Sequence, residues 1–519
     1  MPPLLKNNYR QITLAFVFLK LVLHWATNTN YELHRDEMLY FNQGDHLSLG
    51  YASVPPFIGW VAFLIKWVFG HSVFGIRLLP ALLGATTIVI VAKIIETLGG
   101  KALALVLACS CFLLSPGFLL FDTLFTVNVF DQFFWCLIAF LFIKMIKEDN
   151  PKIWIPLGIT SGLAFLNKYL VLYLMAGFLM GILLGGNRKI IVHKHFLVGV
   201  LAGILVISPN IYWQYAHGWP VFYHISELGK SQMVHMTLRH FLIDLFDLNY
   251  ISTFFWLTGL LVVLVVEQEK QYRYISITAL FILGLCIGFK GKAYYFLGFI
   301  PVLFALGGYV FEKYGTKKLE MINYLALVII VFSSLLTLPF ALPLLPFDKL
   351  NEYARHTGQW VSHPFSRWED GSIHPVSQVF SDMTGWTELV RLVNNAYLQI
   401  PENERHNCTI YAERNYGYAG AVHFYGKKYN LPEAITFLDS YAQWAPDTIA
   451  PAPLIYIHRE IAGLDRLFDT CSAVGAVDNP YFRESGVTVF LCRKPNHHLQ
   501  NVYKQKALEE KKKYRRAGQ

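Results

Sequence analysis

Four ionisable residues follow one another directly after the first strongly apolar segment, in the stretch "YELHRDEMLY": His34, Arg35, Asp36 and Glu37. A carboxylate at a membrane surface is suited to general base catalysis, in which it takes the proton from an acceptor hydroxyl. Neighbouring residues of a helix point in directions about 100° apart. One carboxylate of the pair can therefore face a reaction centre while the other holds the segment by pairing with a cation such as Arg35. The alternative interpretation is a solvated pair in a loop.

Other ionisable residues lie at the predicted ends of apolar segments, where a charge is costly unless it faces a cavity. Asp131, in "VNVFDQFFW", is either a functional acid or a partner of the positive N-terminal end of a helix. Lys168, in "GLAFLNKYL", is either functional or an anchor whose ammonium reaches the membrane surface. For Asp122 a functional role and a plain loop position are equally consistent with the sequence.

The segment "KGKAYY" offers two cations and two phenols at one predicted lipid boundary: Lys290, Lys292, Tyr294 and Tyr295. Ammonium groups and hydroxyls bind phosphate oxygens, so the segment predicts a site for a phosphate carried on a lipid. For the two tyrosines, a place in the aromatic belt at the membrane surface is the alternative interpretation.

The sequence predicts no metal site and no nucleotide cofactor. His34 and His46 are interpreted as loop histidines because no spacing resembles that of zinc ligands. A divalent cation is left open, but no motif requires one. A glycine-rich nucleotide loop is also missing from the sequence. An enzyme whose donor substrate is already activated on a lipid carrier would not need such a loop.

Composition indicates a membrane protein. Of 519 residues 54% are hydrophobic and only 15% are charged, whereas soluble domains carry about 25% charged residues. We interpret the net charge of +9 as loop charge that orients helices, and not as a nucleic-acid surface. A bilayer core requires about 20 mostly apolar residues per helix. On this basis we predict eleven transmembrane helices, at residues 11–27, 74–97, 102–121, 128–147, 153–168, 170–186, 195–213, 251–267, 273–288, 294–311 and 321–343.

The apolar segment Pro55–Gly70 is too short for a crossing, begins with two prolines and contains Lys66. It predicts an interfacial helix in the first external loop. Lysines and arginines recur in alternate loops, which predicts a cytoplasmic N-terminus. Eleven crossings then place the chain beyond about residue 344 outside.

The hydrophobic runs end near residue 348, and short β-rich pieces such as "PLIYIHR" and "GVTVFLCR" follow. They predict a small C-terminal α/β soluble domain. We therefore predict a transmembrane catalytic domain at 1–347, an external α/β domain at 348–498, and a basic, charged and mobile tail at 499–519 near anionic lipid. Whether Cys471 and Cys492 form a disulfide is left open, because Cys408 makes the number of cysteines in this part odd.

After the acidic pair, six further segments follow in order: "GYASVPPFIGW", "HSVFGIRLLPALLGA", "NVFDQFFW", "GLAFLNKYLVLYL", "SPNIYWQYAHGWP" and "KAYYFLGFIPVLFALGG". Taken in this order, the motifs resemble glycosyltransferase family 39 and the lipid A aminoarabinose transferases, which are GT-C enzymes related to the protein O-mannosyltransferases. The resemblance covers most of residues 30–310, and "NYGYAGAVHFYG" resembles the soluble domain of a bacterial branch.

The resemblance implies that the sugar donor is carried on a polyprenyl phosphate and that the reaction takes place at the external membrane face. Asp36 matches the family's catalytic acid, Glu37 its neighbour and Asp131 a second acidic position. Two further matches are implied: Lys168 with the lysine that ends the fifth helix, and Tyr294 or Tyr295 with a tyrosine near the donor phosphate. The aminoarabinose branch has a lysine directly before the paired prolines, where this chain has Val54. The missing phosphate contact is expected from one of three cations: Arg35, Lys290 or Lys292.

The sequence thus predicts transfer of a sugar from a polyprenyl-phosphate donor to a hydroxyl of a lipid, glycan or protein at the bacterial inner membrane. We expect Asp36 to act as the base in an inverting single displacement, with Glu37 or Asp131 positioning the acceptor. The residues expected to neutralise the phosphate are Lys168, Lys290, Lys292 and Tyr295. Two alternatives remain: a transporter or flippase, which predicts paired broken helices in two halves, and a non-catalytic membrane scaffold.

Overall fold

Long apolar runs fold as α-helices in this chain, since a helix satisfies its own backbone hydrogen bonds in lipid. The computed structural model describes residues 8–186, 188–315, 320–461 and 463–515. Its first helices are α1 (Tyr9–Thr27), α2 (Arg35–Gln43), α3 (Phe57–Phe69), α4 (Val73–Leu98), α5 (Ala102–Leu114), α6 (Pro116–Phe121), α7 (Val127–Lys147), α8 (Trp154–Asn167) and α9 (Val171–Gly185). The next are α10 (Lys194–Ala216), α11 (Pro220–Ser231), α12 (Leu238–Asn249), α13 (Ser252–Val265), α14 (Arg273–Gly288), α15 (Ile300–Tyr314), α16 (Glu320–Ala341), α17 (Phe347–Thr357) and α18 (Gln359–Ser366).

Short helices and strands alternate in the remainder of the chain. The helices are α19 (Gln378–Ser381), α20 (Trp386–Leu398), α21 (Glu402–Arg405), α22 (Tyr416–Tyr425), α23 (Tyr441–Trp444) and α24 (Leu499–Arg515). The strands are β1 (Thr409–Ala412), β2 (Ala434–Ile435), β3 (Leu454–His458), β4 (Phe468–Ala476) and β5 (Thr488–Pro495).

Six helical stretches among the described residues are long and apolar enough to cross a membrane, and a seventh is added if the bent pair α12 and α13 is one span. The six are Val73–Leu98, Val127–Lys147, Lys194–Ala216, Glu267–Gly288, Ala293–Tyr314 and Tyr324–Ala341. Each coincides with one of the eleven predicted spans, and the chain has a polytopic helical membrane fold. The number of eleven crossings remains a prediction.

Several predicted spans correspond to helices that end early. The predicted span 102–121 is divided at Ser115, which adopts an extended conformation before Pro116, as residues that precede a proline usually do. Helix α9 has 15 residues, which gives about 23 Å at 1.5 Å per residue, short of the roughly 30 Å of a bilayer core.

The described residues group into two compact units. The helical unit comprises those within Met1–Asn28, Arg77–Pro209 and Gly229–Ser372, and the mixed unit those within Thr29–Ile76, Asn210–Leu228 and Ile373–Gln519. The predicted boundary at 347/348 therefore does not delimit the compact units, because α2 and α3 group with the C-terminal part of the chain.

Helices of the helical unit approach each other closely at glycines. A Cβ at Gly158 of α8 would lie 1.9 Å from the backbone oxygen of Gly199 in α10. A Cβ at Gly259 of α13 would lie 2.5 Å from the backbone nitrogen of Gly307 in α15. Small residues of this kind let helix backbones pack directly in a membrane.

The mixed unit contains a five-stranded sheet of order β2-β1-β3-β5-β4. Strand β1 is parallel to β2 and β3, while β5 is antiparallel to β3 and β4. A disulfide joins Cys471 of β4 to Cys492 of β5, which are register partners, and Cys408 is a buried free thiol. The cysteine pair that the sequence left open is therefore bridged.

The charged C-terminal segment is an ordered helix, so the expectation of a mobile tail from residue 499 was wrong for the described part. Leu499, Tyr503 and Ala507 lie four residues apart on one face of α24 and are buried against the sheet core. Two lysines add charged contacts on the same helix, Lys506 with Glu413 and Lys511 with Asp447. The composition of this segment did not indicate an apolar helix face, because few of its residues are apolar. Residues 516–519 lie outside the described part.

Candidate functional site

The acidic pair of the first predicted loop forms the N-terminus of α2, within the mixed unit. The Nδ1 atom of His34 accepts a hydrogen bond from the backbone N–H of Asp36 at 3.1 Å, and the backbone N–H of His34 donates to Oε2 of Glu37 at 2.9 Å. This reciprocal cap satisfies backbone donors that the first turn of a helix leaves without partners. Glu37 is fully buried, whereas 32% of the Asp36 side chain is exposed. The two carboxylates therefore differ in role: Glu37 caps the helix and Asp36 is accessible.

Asp36 is held by the C-terminal part of the mixed unit. The Tyr416 hydroxyl, at the start of α22, donates to Oδ1 of Asp36 at 2.5 Å. The Arg35 guanidinium lies 5.6 Å from the centre of the Tyr416 ring, and its Nε is 3.7 Å from Oδ1 of Asp36. Burial, together with the neighbouring Asp36 charge, raises the pKa of Tyr416 well above its ordinary value. Tyr416 therefore remains a hydrogen-bond donor to the carboxylate at neutral pH.

A buried carboxylate, Asp382, anchors the same helix end. Its Oδ2 lies 2.9 Å from Nη1 of Arg483, 3.4 Å from Nε of Arg35 and 3.6 Å from Nε2 of His34. Only 1% of the Asp382 side chain is exposed. The charge of Arg35, a predicted phosphate contact, is thus engaged by two carboxylates, those of Asp382 and Asp36.

Within the helical unit, four predicted residues come together around one ammonium group. Nζ of Lys168 lies 3.9 Å from Oδ2 of Asp131 and donates to Oδ1 of Asn128 at 2.8 Å. The rings of Tyr295 and Tyr294 are centred 4.7 and 5.3 Å from the same nitrogen. We call these residues the lysine cluster: Asn128, Asp131, Lys168, Tyr294 and Tyr295.

The two cations of "KGKAYY" differ in their relation to the lysine cluster. Lys292 lies 5.7 Å from the centre of the Tyr294 ring and pairs with Glu369 at 2.6 Å. Lys290 is exposed, has a φ of 52° and makes no contact with the cluster among the described residues. The structure therefore places Lys292 beside the cluster and does not bring Lys290 to it.

Asp122 is a partner in a buried ion pair and not a solvated loop residue. Its Oδ2 lies 2.7 Å from Nζ of Lys20, whose ammonium also donates to the backbone oxygen of Phe118 at 3.1 Å. Both side chains are buried within the helical unit. The sequence signal for this pair was Lys20 itself, a lone cation inside the first apolar segment.

Sequence reasoning missed a cluster in the mixed unit, which we call the histidine cluster: Asp45, His71 and His423. One potential ligand atom from each lies within 4.8 Å of the other two. Nε2 of His423 is 2.7 Å from Oδ2 of Asp45, which Lys66 also contacts. Burial raises the pKa of Asp45, but hydrogen bonds from His423 and Lys66 outweigh it and hold this pKa well below its usual range. No spacing revealed the cluster, because its members lie in three separate parts of the chain.

The two histidines interpreted as loop residues both lie outside the helices and strands, as predicted. His34 caps α2, and His46 stacks on Trp444 with ring centres 4.1 Å apart. Neither belongs to the histidine cluster.

Comparison with known protein sequences finds similarity to glycosyltransferases. The family model described as dolichyl-phosphate-mannose-protein mannosyltransferase matches residues 53–213. The lipid A galacturonosyltransferase RgtD of Rhizobium johnstonii is 25% identical over 229 residues, which are 44% of this chain and 48% of that protein. The match therefore spans about half the length of this curated relative.

Solved structures extend the similarity to nearly the whole chain. ArnT from Cupriavidus metallidurans bound to undecaprenyl phosphate superposes with a TM-score of 0.63 at 13% identity, covering 92% of this chain and 97% of ArnT. The Archaeoglobus fulgidus oligosaccharyltransferase gives a TM-score of 0.50 at 11% identity, covering 87% and 69%. The resemblance indicated by the ordered motifs is confirmed: the chain has the fold of GT-C glycosyltransferases of the ArnT-like kind.

Proposed function

We propose that this protein is a glycosyltransferase that moves a sugar from a polyprenyl-phosphate carrier to a hydroxyl of a lipid, glycan or protein. The proposal rests on the difference in burial and contacts between the two neighbouring carboxylates. Glu37 is buried and caps α2, while Asp36 stays partly exposed at the helix end with Tyr416 as a donor. A purely structural pair would not require an accessible carboxylate held so firmly, whereas a general base does.

In the proposed reaction, the Asp36 carboxylate takes the proton from the acceptor hydroxyl. The acceptor oxygen forms a bond to the anomeric carbon of the sugar as the bond from that carbon to the phosphate oxygen breaks. The polyprenyl phosphate leaves with the bonding electrons, and the configuration of the sugar is inverted. Glu37, Tyr416 and Asp382 position the base through the contacts at the start of α2.

The lysine cluster is the proposed site of the departing phosphate. Its ammonium lies close to Asp131 and to two tyrosine rings. Preorganised cations and hydroxyl donors stabilise charge that develops on a leaving oxygen. We assign Asp131 to the orientation of Lys168, which differs from the acceptor-positioning role that the sequence suggested. Lys292 and the two tyrosine hydroxyls supply further charge and donors. Arg35 remains a phosphate candidate despite its carboxylate partners, whereas Lys290 is the weakest one, because no contact joins it to the cluster.

We further propose that the protein resides in the inner membrane of a bacterium, with a cytoplasmic N-terminus and a periplasmic C-terminal part. The alternation of basic loops supports this orientation. The disulfide between Cys471 and Cys492 supports it independently, because disulfides persist in oxidising compartments such as the periplasm.

The acceptor is the least constrained part of the proposal. The curated relative is named for transfer to lipid A, which favours a lipid acceptor over a glycan or a protein. Val54 stands where the aminoarabinose branch has a lysine, and this difference argues against that particular donor sugar.

The proposal is tested by incubating purified protein in vesicles with a panel of polyprenyl-phosphate sugars and a mixture of envelope lipids. We expect one donor to disappear, with one equivalent of free polyprenyl phosphate formed per sugar transferred. Donors that all remain chemically intact would contradict the proposal. Movement of an intact donor across the bilayer would instead identify a transporter.

One observation is relevant to that rival function. Helices α12 and α13 are bent by 108° at their junction, and broken helices line the substrate sites of many transporters. Such transporters carry a second broken helix in the other half of the molecule, and the described residues contain one such pair. This feature alone therefore does not identify a transporter.

A further inference from the structure

We propose that the histidine cluster, Asp45, His71 and His423, binds a divalent transition-metal ion of the zinc type. The cluster lies wholly within the mixed unit and shares no residue with the proposed base or with the lysine cluster. Two imidazole nitrogens and one carboxylate oxygen are a ligand set typical of protein-bound Zn²⁺, with a fourth position left for water.

The distances permit coordination after small side-chain movements. Ligand atoms about 2.1 Å from a tetrahedral ion lie roughly 3.4 Å from each other, and the three potential ligand atoms here lie within 4.8 Å of one another. His71 and Asp45 are exposed, whereas His423 is buried. The two exposed side chains are accessible to an ion that enters from solvent, while the buried histidine supplies a fixed ligand.

A second carboxylate supports the assignment independently. Nδ1 of His423 faces Oε1 of Glu433 at 3.6 Å, on the side of the ring opposite to Asp45. Histidines that bind metal usually present their other ring nitrogen to a carboxylate or carbonyl, which fixes the tautomer and the ring orientation. Protonation at Nδ1 would leave the lone pair of Nε2 directed toward the cluster.

The rings around His71 also restrict its orientation. The His71 ring packs edge-on against Phe41 with centres 5.3 Å apart, and lies 5.8 Å from the ring of Phe424. A ligand held in this way loses less conformational freedom when it binds an ion.

In this structure the ammonium group of Lys66 is a positively charged partner of Asp45. Its ammonium contacts Oδ2 of Asp45 and lies 4.2 Å from the centre of the Phe41 ring. A bound metal ion would take over the charge on Asp45, and the flexible lysine side chain would withdraw. Lys66 therefore competes with the metal ion for Asp45, so replacing Lys66 should strengthen metal binding. This effect is not expected if the metal binds only incidentally at the surface.

The test uses the full-length protein in detergent, stripped with a chelator and dialysed against trace Zn²⁺. We expect one Zn²⁺ per chain by elemental analysis, and Co²⁺ in its place should give the visible absorption of a tetrahedral site. His71→Ala should abolish stoichiometric binding, whereas His406→Ala, at an exposed histidine outside the cluster, should retain it. Glu433→Gln should weaken affinity by about tenfold, as expected for a residue behind a ligand, and Lys66→Met should tighten it.

Wild-type protein that retains no stoichiometric Zn²⁺ would overturn the proposal, as would a His71→Ala variant that binds Zn²⁺ as tightly as wild type. Because His71 is exposed, its replacement is not expected to unfold the chain, and an unchanged midpoint of thermal unfolding verifies this. The readout is metal content and not sugar transfer, so its failure leaves the proposed function separately testable.

Discussion

The hydroxyl of Tyr416 donates a hydrogen bond of 2.5 Å to the carboxylate of Asp36, although the two positions are 380 residues apart along the chain. Tyr416 begins a helix that follows the first strand of the sheet, and Asp36 lies in the first turn of α2. The C-terminal part of the mixed unit therefore directly positions the carboxylate that we assign as the base.

Removing this donor should alter the pH dependence of transfer. In Tyr416→Phe the Asp36 carboxylate loses a hydrogen bond that stabilises its charged form. The acidic limb of the pH–rate profile should therefore move to higher pH, and the rate at neutral pH should fall roughly tenfold, as for loss of a bond of about 1.5 kcal/mol to a charged group. A profile identical to that of wild type would contradict the role of Tyr416. Tyr397→Phe, on α20, serves as the matched control.

Replacing the cation of the lysine cluster should weaken donor binding. Lys168→Met removes a charge-assisted contact to phosphate, so the Kd for a polyprenyl-phosphate donor should rise by roughly tenfold or more. Lys290→Met is the matched control, because Lys290 is exposed and does not contact the cluster. Equal effects of the two substitutions on donor binding would contradict the assignment.

Lys168→Met also leaves the buried Asp131 carboxylate without its cation, which can destabilise the protein by itself. The double variant Asp131→Asn/Lys168→Met removes both charges. It should restore the midpoint of thermal unfolding and not the affinity for the donor.

The buried carboxylate of Asp382 should contribute strongly to stability. Asp382→Asn leaves the cations of Arg483 and Arg35 without their buried partner, and breaking a buried ion pair typically costs about 3 kcal/mol or more. We expect a clear drop in the midpoint of thermal unfolding, with earlier proteolysis of the α2 segment. Asp465→Asn, at an exposed position, should change the midpoint little. The same small effect at Asp382 would disprove the anchoring role.

The disulfide should stabilise the mixed unit. Cys471 and Cys492 are 21 residues apart in sequence, and closing a loop of that size stabilises a fold by about 3 kcal/mol in the chain-entropy model. Replacing both cysteines by alanine should lower the unfolding midpoint and make it insensitive to reducing agent. Cys408→Ala removes a free thiol and should leave the sensitivity of wild type to reducing agent intact.

Sequence patterns predicted those features that depend on local chemistry. The apolar runs predicted helices, although the span predicted at 102–121 did not take account of Pro116, where the run divides into two helices. The cap formed by His34 and Glu37 was not predicted, although their spacing is that of a helix cap. Asp131, Lys168 and the two tyrosines were recognised because each is a polar group at the end of an apolar run. Lys168 and Tyr295 were expected to contact one phosphate, whereas the pairing of Lys168 with Asp131 was not predicted.

Contacts between distant segments could not be predicted in the same way. Nothing near Asp382 or Tyr416 indicates that they contact α2, since both depend on how the sheet and its helices pack. The same holds for the histidine cluster, in which each member taken singly is an ordinary polar residue. Helix α24 was misjudged for a related reason: its three buried side chains are outnumbered by lysines and glutamates.

The most direct test of the account replaces the proposed base. In vesicles supplied with the donor identified from the panel, Asp36→Asn should reduce the rate of sugar transfer by at least about 100-fold, the usual contribution of a general base. The Kd for the donor and the unfolding midpoint should stay close to those of wild type, whereas Glu37→Gln should mainly lower the unfolding midpoint. An Asp36→Asn variant that transfers sugar at the wild-type rate would contradict the assignment of Asp36 as the general base.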